Sequence, residues 1–93
     1  MIRSFADRAT EALFNRVARK GVPAELAARA YRVLVRIHAA NVVSDLREPP
    51  SHRLHQLKGD QAGRWSVSVN MQYRVTFEFR EGDAYDVRFE DYH

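Results

Sequence analysis

The sequence predicts an α+β fold: an N-terminal helical hairpin packed on a small, mainly antiparallel β-sheet. Two patterns carry this expectation. From Trp65 to Phe89, apolar residues alternate with polar ones in three runs, separated by the turn triplets Asn70-Met71-Gln72 and Glu81-Gly82-Asp83. Before Asn41, apolar residues recur at helical spacing in two stretches parted by Gly21-Val22-Pro23. Alternation gives each strand one apolar face, and a helical stripe can cover it. The chain has 93 residues, which leaves room for one core, so residues 1–93 read as a single domain.

Ile2 to Phe5 can form a short first strand. Ser4, with Asp7 three residues on, has the form of a capping box, which places a helix start directly after it. Ala9, Leu13, Phe14 and Val17 then mark one helical face. Gly21 is a natural stop, and Arg19 and Lys20 suit the negative end of the helix dipole. Pro23 fits the first turn of a second helix. There Leu26, Ala30, Leu34 and Ile37 form one stripe with Val33 beside it, while Arg29, Arg32 and Arg36 take the other side as a solvated face. His38, near the helix end, reads as a boundary residue rather than a catalyst.

The pattern breaks at Asn41. Ser44-Asp45-Leu46 can cap one helical turn, and Pro49-Pro50 makes the chain extended there. Arg47 to Gly63 reads as a long polar loop that Leu54 and Leu57 pin to the core. Three strands follow. Trp65, Val67 and Val69 face inward in the first, Tyr73, Val75, Phe77 and Phe79 in the second, Tyr85, Val87 and Phe89 in the third. Strict alternation then puts Asp91 and His93 on the face of Val87 and Phe89, and Tyr92 on the opposite face.

Composition narrows the function. No stretch approaches the ~18 apolar residues of a membrane span. Met1 to Asp7 holds an acid and no apolar signal core, so the expected site is cytoplasmic, with no membrane partner. Without cysteine there is neither a disulfide nor a thiolate metal site. The 15 basic residues exceed the 12 acidic ones for a net charge of +3, and all but Lys20 and Lys58 are arginines. Arginine binds phosphate bidentately, so the balance permits a nucleic-acid partner without establishing one.

The candidates for chemistry are few. Asp91-Tyr92-His93 sets a carboxylate, a phenol and an imidazole side by side. If the substrate is RNA, cleavage without metal needs a base for the 2′-OH proton, an acid for the leaving 5′-oxygen, and cations for the charge growing on phosphorus. His55 and His93 can share the proton work, and which is base and which acid stays open. Asp91 can act as base or orient a histidine, and Tyr92 can stack on a nucleobase or donate a hydrogen bond. Lys58 and Arg74 can hold phosphate. Each has a plain alternative. The last three residues can be a polar tail, His55 a loop residue satisfied by backbone, Lys58-Gly59-Asp60 a turn, and Arg74 a cross-strand partner of Glu78 or Glu90. His52-x-x-His55 lacks a nearby third ligand, so neither a metal nor a cofactor is expected.

Several stretches together carry a resemblance. They are Met1-Ile2-Arg3-Ser4-Phe5, Glu11-Ala12-Leu13-Phe14, Gly21-Val22-Pro23, Arg53-Leu54-His55-Gln56-Leu57-Lys58-Gly59-Asp60, Gly63-Arg64-Trp65-Ser66-Val67, Gln72-Tyr73-Arg74-Val75-Thr76-Phe77 and the closing Asp91-Tyr92-His93. In this order the chain resembles the HigB toxins, a branch of the RelE/ParE toxin superfamily. The resemblance covers essentially the whole chain. It implies a RelE-like fold and a toxin of a type II toxin–antitoxin system. It also implies an mRNA interferase, a ribosome-dependent, metal-independent endoribonuclease that cuts translated messages and arrests growth. The implied partners are the ribosome with mRNA, a HigA-type helix-turn-helix antitoxin and, through it, operator DNA. By matched position the functional residues are His55, Asp91, Tyr92 and His93, with Lys58, Arg74 and Arg53 as basic positions for RNA phosphate or the ribosome. The segment Leu46 to Arg53 has a Pro-Pro form found in only some members, which leaves codon preference open. The alternative is a non-catalytic, ParE-like gyrase poison on the same fold. A third reading keeps antitoxin and DNA docking without toxicity.

Overall fold

Phe77, Leu34, Ile37, Val67, Val75 and Val87 are fully buried and define the core between two helices and a sheet. In the computed structural model, which describes residues 1–17 and 20–92, the helices are α1 (Arg8–Phe14) and α2 (Ala24–Ala39). The strands are β1 (His55–Gln56), β2 (Trp65–Ser68), β3 (Tyr73–Arg80) and β4 (Asp83–Asp91). They lie in the order β1-β2-β3-β4, antiparallel throughout. Val67 opposite Val75 and Trp65 opposite Phe77 present the apolar face to the helices. The stripe predicted for α2 is buried at Ala30, Val33, Leu34 and Ile37, and Arg29, Arg32 and Arg36 are exposed.

The first helix departs from expectation at both ends. Its cap is Asp7, not Ser4: the Asp7 carboxylate accepts from the Thr10 N–H and the Thr10 hydroxyl, each at 2.7 Å. A carboxylate both fills an orphan donor and suits the positive helix end, so it prevails over the serine. The Ser4 hydroxyl instead accepts from the Asp86 N–H. The helix ends at Phe14 because Arg16 turns left-handed (φ 59°), which leaves Val17 exposed instead of on the buried face. Arg19 lies outside the described residues.

Residues 2–5 do not form a full strand. Ile2 and Phe5 make isolated parallel bridges to Ala84 and Val87, and these cover the otherwise open edge of β4. His38 Nδ1 accepts from the Ile2 N–H and its ring lies 5.3 Å from that of Phe14, so His38 pins this segment to α2. Arg3 and the N-terminal ammonium both pair with Asp83. Burial pushes the Asp83 carboxyl up, but these two cations outweigh it and hold it below its ordinary value.

The predicted loop 47–63 is more ordered than its composition indicates. Pro50 does not extend the chain but opens a 3₁₀ turn to His52, and Val43–Arg47 and Gly59–Gln61 form two more. Asp45 caps the turn that contains it by accepting from the Asn41 and Val42 N–H groups. Between these turns, His55 and Gln56 pair with Ser66 and Trp65 as a fourth strand. Two residues are too few for periodicity to reveal.

The last strand contains the largest correction. Thr76 pairs with Arg88 but Glu78 pairs with Tyr85, so Asp86 and Val87 together face Phe77. This is a β-bulge with Asp86 left-handed at φ 53°. The extra residue breaks the alternation expected for Tyr85, Val87 and Phe89. Ala84 takes the inward position, fully buried, and Tyr85 turns outward beneath the Arg80 guanidinium. Beyond the bulge, Asp91 lies opposite Tyr73 on the helix side and Tyr92 falls on the outer face, as the alternation requires.

Asp7→Ala removes both the helix cap and the partner of Thr10, whose hydroxyl also accepts from the Phe89 N–H. Urea denaturation should show a loss of about 1–2 kcal/mol, the upper range for a cap.

Candidate functional site

The outer face of the sheet carries an unusual load of buried polar groups. Ser66 and Thr76 are fully buried and Ser68 nearly so. Charged side chains bond to Thr76. Arg64 donates from Nη2 to the Thr76 hydroxyl at 3.1 Å and to the Asp86 carbonyl at 2.8 Å, and from Nη1 to the Asp86 carboxylate at 3.1 Å. The Thr76 hydroxyl donates to Glu90 Oε1 at 2.8 Å, and Arg74 pairs with Glu90 Oε2 at 3.2 Å. Arg64 and Arg74 are largely covered, with side chains 11% and 14% exposed. Buried charges persist only when paired and hydrogen-bonded, and this ladder supplies partners for the terminal nitrogens of both arginines, while Arg64 Nε, Arg74 Nε and the Ser66 hydroxyl have none.

The ladder ends at a cleft of about 260 Å³ lined by Arg53, His55, Ser68, Asn70, Met71 and Tyr92. Each wall has a local cause. The β1–β2 pairing sets His55 opposite Ser66, on the outer face. Arg53 closes the preceding 3₁₀ turn in the left-handed region (φ 48°), and its carbonyl accepts from His55 Nδ1 at 2.8 Å. A carbonyl can only accept, so the neutral ring carries its proton on Nδ1 and offers Nε2 as the basic atom. Across the cleft the Tyr92 hydroxyl and the Ser68 hydroxyl share a hydrogen bond. The Arg74 guanidinium lies 5.2 Å from the Tyr92 ring centroid, and the Tyr92 N–H donates to the Gln72 carbonyl. The turn that carries Met71 is fixed by Asn70 Oδ1, which accepts from the Gln72 and Tyr73 N–H groups. Met71 is thereby held out at 95% exposure.

The structure thus brings three of the residues predicted from sequence, Arg53, His55 and Tyr92, to one cleft. Arg74 lies just behind it, paired with Glu90, as the cross-strand alternative anticipated. Asp91 accepts from Gln72 Nε2 at 3.0 Å on the other side of the strand. Lys58 is exposed at the start of the 3₁₀ turn 59–61 and is not among the residues that line the cleft. His93 lies outside the described residues. His52 and His55 do not form a pair: His55 is exposed, while His52 is buried and donates from Nδ1 to the Leu46 carbonyl at 3.1 Å. Burial, with Arg36 adding to it, holds the His52 pKa below its ordinary value of 6.5 although the Leu46 bond acts to raise it. Sequence reasoning passed over Ser68, Asn70 and Met71. Only the exposed methionine in a turn was a legible signal, since Ser68 becomes polar lining only through its pairing with Arg74.

Residues 3–93 match the family described as RelE-like toxin of type II toxin-antitoxin system HigB. The chain is 40% identical over 93 residues, the full length of both proteins, to "Endoribonuclease HigB" of Proteus vulgaris. The chain belongs to the HigB-like toxin family. A second relative, "Toxin HigB-1" of Vibrio cholerae, is 38% identical over 63 residues, covering 68% of this chain and 66% of that protein. Among solved structures, a YafQ mutant from E. coli superposes with a TM-score of 0.67 at 11% identity, over 99% of this chain and 92% of that one. A YoeB/ParE toxin from Agrobacterium tumefaciens gives 0.50 at 17% identity, over 96% of each chain. At such identities these two show that this HigB-like toxin shares their fold.

The lowered His52 pKa has a defined consequence for stability. The unfolded chain takes up a proton near pH 6.5, whereas the folded HigB-like chain takes it up only at lower pH. Between those values the unfolded state binds more protons, so stability falls as pH drops below about 6.5. His52→Gln keeps a donor for the Leu46 carbonyl but cannot titrate. Urea denaturation between pH 5 and 7 should show a shallower pH dependence for this variant than for the wild type.

Proposed function

We propose that this toxin is an endoribonuclease that cuts messages on the ribosome. In this reading it attacks through the 2′-hydroxyl of the RNA by acid–base chemistry that needs no metal. The observation that carries the proposal is the convergence of His55, Arg53 and Tyr92 on one cleft, with the His55 tautomer set by the Arg53 carbonyl. The Proteus relative that matches over full length is named an endoribonuclease, which supports the same chemistry here.

In the proposed reaction, a base removes the 2′-OH proton and the 2′-oxygen attacks phosphorus. The bond from phosphorus to the 5′-oxygen breaks, and an acid protonates that oxygen. His55 Nε2 faces this task as an acceptor when neutral and as a donor once charged. Tyr92 supplies a ring for a nucleobase or a phenol for the proton path. His93, next in the chain, is the second candidate for proton transfer, and Asp91 is its candidate orienting carboxylate. The exposed Arg53 and Lys58 provide cations for RNA phosphate or the ribosome. As a type II toxin the protein would be restrained by an antitoxin. A HigA-type helix-turn-helix protein that also binds operator DNA is the proposed partner, and the cytoplasm the proposed site of action.

The test is to induce the toxin and map new 5′ ends of cellular messages. The wild type should yield codon-phased cuts in translated messages. His55→Ala and His93→Ala should each slow cleavage by about 100-fold or more, the scale of a lost general acid or base, while leaving antitoxin binding intact. Full toxicity in both variants would sink the assignment. Growth arrest with intact messages and broken DNA would favour a gyrase poison instead.

A further inference from the structure

We infer that Arg74 and Glu90 act as one unit that positions the Tyr92 ring at the cleft, so that Arg74 is a positioning residue rather than a phosphate ligand; the inference rests on reading the cleft as the cleavage site. Arg74 and Glu90 face each other across β3 and β4, and their side chains pair at 3.2 Å. The other oxygen of the Glu90 carboxylate accepts from the Thr76 hydroxyl at 2.8 Å. Thr76 is fully buried and is also held by Arg64. The carboxylate is therefore held at both oxygens, and it holds the Nη2 end of the guanidinium in turn, while the buried Arg74 Nε has no partner. That guanidinium lies 5.2 Å from the centroid of the Tyr92 ring, within range of a cation–π contact.

Tyr92 is consequently gripped at three points. Its N–H donates to the Gln72 carbonyl, its hydroxyl bonds to Ser68, and its ring face meets Arg74. Ser68 and Arg74 are themselves cross-strand partners on the outer face, so two of the grips come from one register position. A tyrosine near a strand end has two free torsions, and a reacting group must be held to a fraction of an ångström. The ladder supplies that constraint.

Charge argues against a direct phosphate role for Arg74. Its guanidinium is neutralised by Glu90 in a largely covered pair, with the two side chains 14% and 20% exposed. A phosphate would have to approach against that carboxylate. Arg53, in contrast, is exposed and lines the cleft.

The test compares Glu90→Gln, Arg74→Met and their double variant in single-turnover cleavage on ribosomes programmed with a defined message. Ring-13C-tyrosine NMR of each chain runs in parallel, with Tyr92→Phe to assign the signal. Each single variant should lower the maximal rate roughly tenfold and leave the half-saturating concentration within twofold. The double variant should be no slower than the slower single one, because the two residues act as a unit. The Tyr92 ring resonance should shift in Glu90→Gln while the other tyrosines stay put. The variant leaves a largely covered guanidinium without its counter-charge, so its melting temperature should fall, and the kinetics are read at a temperature where every variant is folded. Ser68→Ala, which loosens the ring from its other end, should give the same kinetic split. If Arg74 is a phosphate ligand, removing the Glu90 charge frees it: Glu90→Gln would then cleave as fast as the wild type or faster, and only Arg74→Met would raise the half-saturating concentration. That result overturns the inference. An unmoved Tyr92 resonance in Glu90→Gln overturns it whatever the cleavage data show. A wild type that cuts no message overturns the nuclease reading, and with it the purpose given to the ring, which separates that failure from a failure of the clamp.

Discussion

Asp86 is the residue on which the geometry turns. It is left-handed at φ 53° and places two residues of β4 against one of β3. Such a conformation costs about 1 kcal/mol or more for a residue with a side chain, although aspartate tolerates it better than most. It persists because it is held from two sides. Arg64 bonds both its carbonyl and its carboxylate, and the Ser4 hydroxyl accepts its N–H. One extra residue reverses the facing of everything on one side of it. It brings Ala84 inward beneath the N-terminal segment and turns Tyr85 outward, while Val87 and Phe89 stay inward and Glu90 and Tyr92 outward as alternation requires. The cleft depends on that facing.

The same arginine links the bulge to the polar ladder. Through Thr76 it reaches Glu90, through Glu90 the ladder reaches Arg74, and Arg74 reaches Tyr92. An antiparallel sheet with one solvated face does not need buried hydroxyls on that face. Here Ser66 and Thr76 are fully buried there, and the Thr76 hydroxyl is bonded to both Arg64 and Glu90. A network of this kind is costly when incomplete and rigid when satisfied. The terminal nitrogens of Arg64 and Arg74 and both Glu90 oxygens are bonded, while Arg64 Nε, Arg74 Nε and the Ser66 hydroxyl are left without partners, and the network runs beside the cleft of His55 and Tyr92.

Folds of this class host more than one activity, and the likeness to YafQ and to a YoeB/ParE toxin extends over nearly the whole chain at 11% and 17% identity. The architecture is therefore the part of this protein least informative about its action. The cleft is more informative. It holds a histidine whose Nδ1 donates to a carbonyl and a phenol held by a hydrogen bond and a ring-face contact, and the proposed chemistry rests on these two groups.

The fold class, the buried stripe of α2, the meander and its turns, and the candidates His55 and Tyr92 were legible in the chain. Each of these rests on local periodicity or side-chain chemistry, which the chain carries residue by residue. The Asp-Tyr-His ending and the stretches around His55 likewise placed it among HigB-like toxins. The remainder depends on partners distant in sequence. Asp7 displaced Ser4 as the cap, Arg16 cut the first helix short, and a two-residue strand at His55 formed because Ser66 and Trp65 were there to pair with it. Tyr85 turned outward because Arg64 and Ser4, far away in the chain, stabilise a bulge that no alternation pattern encodes. Arg74 became the neighbour of Tyr92 and Glu90 through strand register, which is a property of two segments at once and is not written in either alone.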